Sequence, residues 1–260
     1  MAGWEVTLLD LGAIYAPLTW VFPDAAEDEL AWLPSNGLLC RTGDDAVLVD
    51  CGLGPYSDIF GLRIRHVDLA DALASTGCAA EQISTVVLTH LDADHAGGVV
   101  EGDPDKTLHP SFPGARVVVL DLARDVLDGH TSNRSELAET IDVTLREAGV
   151  RVEAVRSGVD VKPGLRLRSA PGHRTGHACV VLSGDGESFV YLADAVHARE
   201  HVEHPEWDFL HDSERELALD TRRTLIEELA GSGTVVACSH VDGFGRIECN
   251  GDGTPVWIDL

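Results

Sequence analysis

Short apolar runs recur along the whole chain and predict β-strands. Each run is rich in Val, Leu and Ile and is bounded by polar or turn-forming residues. The runs are Glu5–Leu11, Leu38–Arg41, Ala46–Asp50, Thr85–Thr89, Arg116–Leu120, Val150–Val155, Leu165–Ser169, Ala178–Ser183, Phe189–Ala193 and Thr234–Cys238, with a last one from Val256 to the C-terminus.

Three other segments carry apolar residues at helical spacing and predict helices between the strands: Asp68–Ser75, Ser135–Ala148 and Ser213–Leu229. The longest opens with Ser213 and has Glu216 three residues later, which is the pattern of a capping box. Strands interspersed with helices favour a layered α/β sandwich over a helical bundle or an all-β barrel. We expect residues 1–260 to form a single domain.

The segment from Trp20 to Pro34 has a different composition, with three large aromatic residues among prolines and acids. It predicts a long loop that either lines a substrate site or covers the core. Loops of this length in a compact domain are often functional.

The charge balance narrows the class of partner. The chain has 44 acidic residues against 19 basic ones, a formal net charge of −25. Because nucleic acids and anionic membranes attract Lys and Arg, neither is expected as a partner, and a small-molecule substrate is. Residues 1–11 hold no basic cluster, and no apolar stretch reaches the roughly 18–20 residues needed to cross a bilayer. These features predict a cytoplasmic protein, for which a homodimer is possible.

The strongest chemical signal follows the apolar run Thr85–Thr89. His90, Asp92, Asp94 and His95 lie within six residues, and Gly97-Gly98 come directly after them. Imidazole and carboxylate groups are the usual ligands of Zn, Fe or Mn. Since buried carboxylates need partners, such a cluster predicts a metal site. The glycine pair predicts a turn with positive φ or a close backbone approach.

This segment resembles the HxHxDH signature of the metallo-β-lactamase superfamily. Four other motifs, one earlier and three later in the chain, follow the order of that family. They are Asp50 in Val-Leu-Val-Asp-Cys-Gly, His173 in Ala-Pro-Gly-His-Arg-Thr-Gly-His, Asp194 in Tyr-Leu-Ala-Asp-Ala and His240 in Cys-Ser-His-Val-Asp-Gly. The resemblance runs from residue 34 to about residue 247. It implies a four-layer αββα sandwich with the site at one edge of the facing sheets.

The same resemblance implies two divalent metal ions, zinc first, with Mn or Fe as alternatives. The first ion would be held by His90, Asp92 and His173, and the second by Asp94, His95 and His240. Asp194 and a hydroxide would bridge them. Two adjacent cations acidify water and polarise a carbonyl or phosphoryl oxygen. Asp94 and Asp194 are the expected catalytic carboxylates, and Asp94 would also relay a proton.

The segment Asp194–Trp207 resembles the lactonase-like and organophosphate-hydrolase-like members, which carry Asp-x-x-His followed by a Pro-acid-aromatic run. This resemblance implies a hydrolase of a small lactone or ester-like substrate. It places His197 in the pocket or behind a ligand. Asp50 is expected to buttress the region of His90, and His177, in the same turn as His173, is a further candidate to support the ligands or contact the substrate. The polar stretch that holds His201, His204 and His211 predicts solvated imidazoles.

Asp92 departs from the family pattern, in which a His is usual at this position. The carboxylate adds a negative charge and makes Mn or Fe more competitive. A Glu at this position is seen in the flavodiiron branch, which binds two irons. Three alternatives therefore stand beside the lactone or ester hydrolase: a phosphoester or phosphotriester hydrolase, a non-hydrolytic di-iron enzyme, and a metal-binding sensor without turnover.

Overall fold

The computed structural model describes residues 3–22, 24–26, 28–56, 61–129, 136–184 and 186–260. The strands are β1 Glu5–Pro17, β2 Leu30–Thr42, β3 Asp45–Val49, β4 Arg63–His66, β5 Ile83–Val87, β6 Val100–Asp103, β7 Thr107–Pro110, β8 Arg116–Leu120, β9 Val152–Val155, β10 Asp160–Lys162, β11 Leu165–Ser169, β12 Ala178–Gly184, β13 Glu187–Tyr191, β14 Val235–Cys238, β15 Val241–Cys249 and β16 Pro255–Asp259. The α-helices are α1 Leu69–Ser75, α2 Ala93–Ala96, α3 Asp121–Leu127, α4 Glu136–Glu147, α5 Glu200–Glu203 and α6 Arg215–Leu229.

Two seven-stranded sheets form the centre of the fold. The first has the order β4-β1-β2-β3-β5-β8-β9 and the second the order β10-β11-β12-β13-β14-β15-β16. An apolar cluster that includes Leu38, Val87, Phe189 and Tyr191 joins strands of both sheets. The short hairpin β6-β7 stands apart from them.

Helices cover the outer face of each sheet, which completes the four layers that the resemblance implies. Residues of α1, α3 and α4 pack with the first sheet in one cluster. Residues of α6 pack with the second sheet in another. Neighbouring residues on β5 show the alternation: Val86 belongs to the helix side and Val87 to the layer between the sheets. Because both faces are buried, the strands read as continuous apolar runs.

Parallel pairing of strands places the segments with the candidate metal ligands at one edge of the sandwich. β3, β5, β8 and β9 run parallel to one another in the first sheet, as do β13 and β14 in the second. The carboxyl ends of parallel strands meet at the same edge. Asp50 follows β3, His90 follows β5, Asp194 follows β13 and His240 follows β14.

Two local predictions need correction. The segment 20–34 is not one long loop, because β2 begins at Leu30 and pairs Trp32 with Tyr15 of β1. Helix α6 begins at Arg215, with Glu214 as its N-cap and no side-chain capping bond. Ser213 is instead held outside the helix, where its N–H donates to the carbonyl of His173 at 3.0 Å. The predicted start of α4, Ser135, lies outside the described residues.

The glycine pair after the ligand cluster is required by close approach and not by positive φ. Gly97 has a helical φ of −57°. A Cβ on Gly97 would lie 2.2 Å from the carbonyl oxygen of Leu53, and one on Gly98 would lie 2.1 Å from that of Cys51. The loop after β3 therefore presses directly against the segment that carries the ligands.

The absence of a long apolar stretch in the sequence can also be compared with the structure. Across the ranges that the structure describes, no helix is long and apolar enough to span a membrane. All six cysteines are free thiols; five are buried, and Cys249 is exposed.

Candidate metal centre

Short loops at the ends of strands position each candidate ligand. His90 follows β5, Asp92 is the N-cap of α2, and Asp94 and His95 lie within α2. His173 lies between β11 and β12, and His240 between β14 and β15. Asp194 lies in a 3-10 turn directly after β13. Segments far apart in the sequence thus converge on one buried volume.

Asp194 is the centre of this cluster. Its Oδ2 atom lies 3.4 Å from Nε2 of His173 and 3.3 Å from Nε2 of His240. Its Oδ1 atom lies 3.2 Å from Nε2 of His95, and Oδ2 is 3.9 Å from Nε2 of His90. Burial raises the pKa of the Asp194 carboxyl, but the neighbouring His95 and His240 hold it well below its usual range. One carboxylate therefore touches both halves of the centre.

The four imidazoles share one orientation, with Nδ1 tied outward and Nε2 turned inward. Nδ1 of His95 hydrogen-bonds Asp50 at 2.9 Å, and Nδ1 of His240 hydrogen-bonds the carbonyl of Pro34 at 2.6 Å. Nδ1 of His90 contacts the hydroxyl of Thr89 at 3.1 Å. Nδ1 of His173 hydrogen-bonds the carboxylate of Asp212 at 2.9 Å. An outer hydrogen bond of this kind fixes the tautomer that leaves Nε2 free to bind a metal.

The inward-facing atoms fit a metal better than they fit one another. Among the described residues, Nε2 of His90, His95 and His173 and Oδ1 of Asp194 are buried without a hydrogen-bond partner. Buried polar atoms are normally paired, so a cluster of unpaired ones needs an explanation. Bound cations supply it, because each atom offers a lone pair toward the same volume. The donor set suits two divalent ions.

Three groups of side chains have ligand atoms within 4.8 Å of one another: His90–His173–Asp194, Asp94–His95–His240 and Asp194–His197–His240. The first two correspond to the two sites expected from the sequence, without Asp92. Asp92 is nevertheless adjacent, since its Oδ2 lies 3.8 Å from Nε2 of His90 and 3.7 Å from Nε2 of His173.

A cavity of about 150 Å³ opens onto the centre. Its floor is polar, and its walls are mostly apolar, formed by Ile14, Trp20, Leu33, Leu62 and Phe209. A larger cavity of about 430 Å³ lies between Gly54, His66 and Phe112 and is lined by none of the candidate ligands. The smaller cavity is thus the one in contact with the clustered donors.

A family model described as metallo-beta-lactamase superfamily matches residues 30–240, which is most of the chain. The chain belongs to the metallo-beta-lactamase superfamily. The chain is similar to two curated proteins, the probable metallo-hydrolases Rv2300c of Mycobacterium tuberculosis and Mb2322c of Mycobacterium bovis. Each is 31% identical over 181 residues, covering 62% of this chain. The match spans 56% of the relatives' own length.

Solved structures of the superfamily share the fold over nearly the whole chain. The hydrolase AbOPH superposes with a TM-score of 0.83 at 23% identity, covering 100% of this chain and 95% of that one. The dizinc quorum-quenching lactonase AidC superposes with a TM-score of 0.82 at 22% identity, with the same coverage. At these identities the likeness establishes the fold alone.

Asp50 hydrogen-bonds His95 of one candidate metal site, and Thr89 next to His90 of the other, on the side away from the inward-facing Nε2 atoms. One of its oxygens accepts from Nδ1 of His95, and the Thr89 hydroxyl donates to the same oxygen at 2.8 Å. The backbone N–H of Thr89 donates to the other oxygen at 2.8 Å. Asp50 thus buttresses His95 directly and reaches His90 only through Thr89, whereas the sequence placed it mainly behind His90.

Asp212 is a functional candidate that sequence reasoning missed. Its Oδ1 lies 2.9 Å from Nδ1 of His173, and Oδ2 lies 3.6 Å from the buried guanidinium of Arg222. Burial alone would lower the pKa of His173, but the hydrogen bonds to Asp212 and Asp92 raise it to about 9. Asp212 lies 39 residues from His173, and no spacing rule links the two positions.

Replacing Asp212 by Asn is expected to weaken metal binding at the His173 site by roughly 10–100-fold. The amide keeps the volume but loses the charge that orients and polarises the imidazole. Metal titration monitored by calorimetry measures the change. Asp208→Asn, on the same segment and half-buried, is the control and should leave both affinities unchanged. Unchanged affinity in Asp212→Asn would remove Asp212 from the centre.

His177 and His197 occupy different positions around Asp194. His177 is fully buried; its Nδ1 donates to the carbonyl of Ala170 at 2.7 Å, and its Nε2 accepts from the backbone N–H of Asp194 at 3.1 Å. Burial and the nearby His173 lower the pKa of His177 to about 4, so it stays neutral and holds the Asp194 turn in place. His197 stacks between Phe209 and His240, and its Nε2 lies 3.5 Å from Asp194.

The prediction of solvated imidazoles is wrong for His201 and is confirmed for His204 and His211, which are exposed. His201 is fully buried, and its Nε2 hydrogen-bonds the carbonyl of Val21 at 3.0 Å. Burial lowers its pKa to about 3. His211 lines the cavity and packs edge-on against Trp20. The polar stretch packs against residues 20–22, since the N–H of Leu210 also donates to the carbonyl of Trp20 at 2.9 Å.

Backbone strain marks both carboxylate turns. Asp50 and Ala193, the residue before Asp194, have positive φ values of 59° and 48° without being glycine. Such conformations cost about 1–3 kcal/mol each and persist where surrounding contacts enforce them. At Asp50 these contacts are the hydrogen bonds to Thr89 and His95. At Asp194 the bond from its N–H to His177 has the same effect.

Proposed function

We propose that this chain hydrolyses a small lactone or a related ester at the centre around Asp194, with two divalent metal ions and zinc as the first choice. The observation that carries the proposal is the set of unpaired, inward-facing Nε2 atoms beneath a cavity with apolar walls. This arrangement joins a metal-binding floor to a pocket suited to an uncharged, partly apolar substrate.

Each side chain has a distinct part in this proposal. His90, Asp92 and His173 would hold one ion, and Asp94, His95 and His240 the other, with Asp194 between them. When bound, the ions acidify water and polarise the substrate carbonyl. Bound ions would displace the proton from Nε2 and hold the imidazoles as neutral nitrogen ligands, which zinc binds well. AidC, of the same fold, is a dizinc lactonase. Manganese and iron remain the alternatives.

Proton transfer falls to Asp94, whose side chain lines the cavity and lies between His95 and His240. Water adds across the C–O bond: the carbonyl carbon gains OH and the leaving oxygen gains H. The carboxylate of Asp94 takes the proton of water and returns one to the leaving oxygen. The ring nitrogens of His197 are free of hydrogen bonds among the described residues, and its Nε2 lies 3.5 Å from Asp194. Because His197 is buried outside the lining of the cavity, it would support Asp194 from behind.

The substrate class follows from the cavity and from relatives of the fold. The walls of Trp20, Leu33, Leu62 and Phe209 suit a short apolar substituent beside the ester. A solved N-acyl homoserine lactone hydrolase of this fold holds the product N-hexanoyl-L-homoserine at its catalytic metal centre. An acyl-homoserine lactone is therefore the first substrate to test.

The test begins with elemental analysis of protein purified without chelator. Zinc-loaded and manganese-loaded samples are then assayed on an acyl-homoserine lactone, an aryl ester and a phosphotriester. We expect about two ions per chain and fastest turnover of the lactone or the ester. Two metal ions without turnover of any carbonyl ester would overturn the proposal. Faster phosphotriester cleavage would favour the phosphoester alternative, and two redox-active irons would favour the di-iron enzyme.

A further inference from the structure

The two halves of the metal centre are alike in composition but differ in the charges that neighbour their carboxylates. Each half has one aspartate facing two imidazoles: Asp92 with His90 and His173, and Asp94 with His95 and His240. The distances are also alike. Oδ2 of Asp94 lies 3.7 Å from Nε2 of His95 and 3.8 Å from Nε2 of His240.

Only the Asp92 half carries an arginine among the ion pairs of the described residues. Nε of Arg174 donates to Oδ1 of Asp92 at 2.9 Å, and Nη2 lies 2.8 Å from Oδ2. This is the two-pronged geometry in which a guanidinium binds a carboxylate most strongly. Oδ2 of Asp92, the oxygen nearest His90 and His173, is therefore already engaged by a cation.

Arg174 is fixed in this position by the protein backbone. Its Nη1 donates to the carbonyl of His173 at 2.9 Å and to the carbonyl of His211. These bonds leave few donors free, so the guanidinium is poorly placed to leave Asp92 for a substrate anion. It is a permanent neighbour of the first site.

The Asp94 half has the opposite surroundings. Within the described part of the chain, no arginine or lysine pairs with Asp94, and Asp50 adds a second carboxylate behind His95. A divalent cation is attracted by two carboxylates there.

The Asp92 half also has a second carboxylate, because Asp212 lies behind His173. There, however, Arg174 pairs with Asp92 and Arg222 lies 3.6 Å from Asp212, so two guanidiniums offset the two carboxylates and repel the ion. Such interactions are strong in a partly desolvated site.

We propose that the two metal sites are unequal and that Arg174 sets the difference. The site of Asp94, His95 and His240 fills first. The site of His90, Asp92 and His173 binds its ion about tenfold or more weakly, because Arg174 engages both oxygens of Asp92. This inference rests on the proposed binuclear function, and it concerns metal affinity rather than turnover.

Titration of the chelator-treated full chain with Zn²⁺, followed by calorimetry, tests the proposal. The wild type should show two steps of one ion each, separated by about tenfold or more in Kd. Asp94→Asn should remove the tighter step and Asp92→Asn the weaker one. Arg174→Gln should strengthen the weaker step until the two lie within a few-fold. Arg146→Gln, an exposed arginine on α4, is the control and should bind like the wild type.

Arg174→Lys separates the effect of the positive charge from that of the two-pronged contact with Asp92, because lysine keeps the charge and loses that contact. Its weaker step should stay weak. Arg174→Met is the second neutral variant if Arg174→Gln does not fold, as judged by circular dichroism of the metal-free protein. Two equal steps in the wild type, or a weaker step that does not strengthen in the folded neutral variant, would overturn the proposal.

The outcome is separable from that of the proposed function. Two unequal binding steps without turnover of any ester would support this inference and would overturn the proposed hydrolysis of a lactone or ester. Turnover of a lactone by protein with two equal steps would do the reverse.

Discussion

Replacement of Asp194 by Asn is expected to remove bound metal and to lower kcat/KM by on the order of a thousandfold for the best substrate of the wild type. Loss of a single outer partner of a metal ligand already lowers affinity or activity by about 10–100-fold. Asp194 touches both halves of the centre, so its loss should have a larger effect. The amide keeps the volume but removes the negative charge that faces His95, His173 and His240.

Elemental analysis after dialysis and steady-state kinetics measure the two effects. Asp220→Asn is the matched control, because that side chain is 76% exposed on α6. It should retain wild-type metal content and turnover. If Asp194→Asn kept two ions per chain and normal kinetics, Asp194 could not be the shared ligand.

Replacement of Arg222 by Met is expected to destabilise the fold by about 3–5 kcal/mol, the usual effect of removing one partner from a buried ion pair. Arg222 is 1% exposed. Its Nε donates to the carbonyl of Ala195 at 2.9 Å, and its Nη1 donates to the carbonyl of Trp207. The Met variant leaves both carbonyls and the buried Asp212 without these donors. At roughly 2–4 °C per kcal/mol, Tm should fall by roughly 6–20 °C.

Thermal and urea unfolding of metal-free protein measure this effect, since bound metal would stabilise the wild type by itself. Arg223→Met is the control from the next position on α6. The side chain of Arg223 is 45% exposed and pairs with exposed Asp220 at 3.6 Å. Its loss should change the free energy of unfolding by less than about 0.5 kcal/mol. Equal losses in the two variants would contradict a special role for the buried arginine.

The two variants also act on the centre through different routes. Asp194→Asn removes a ligand, so metal content falls while the metal-free fold persists. Arg222→Met removes support from Asp212, which orients His173, so stability and affinity at that site should fall together. Comparison of the two therefore separates direct binding from positioning.

The amino-acid sequence by itself determined the strand pattern, the α/β class and the candidate ligands. Apolar runs buried on both faces, such as β5, are continuous and easy to recognise. The donors His90, Asp94, His95, His173, Asp194 and His240 could be found because few residue types bind metals and each follows or precedes a strand end. The resemblance supplied their assignment to two sites.

Only the tertiary structure decided which groups stand behind those donors. Asp92 and Arg174 are 82 residues apart, and His201 and Val21 are 180 apart, yet each pair is in contact. Any polar group can serve as an outer partner, so residue type does not mark it, and its effect depends on burial and distance. His201 was predicted to be solvated for this reason, and no pattern in the sequence marked Asp212. The charge at Asp92 was visible in the sequence, but the guanidinium that balances it became visible only when the chain was folded.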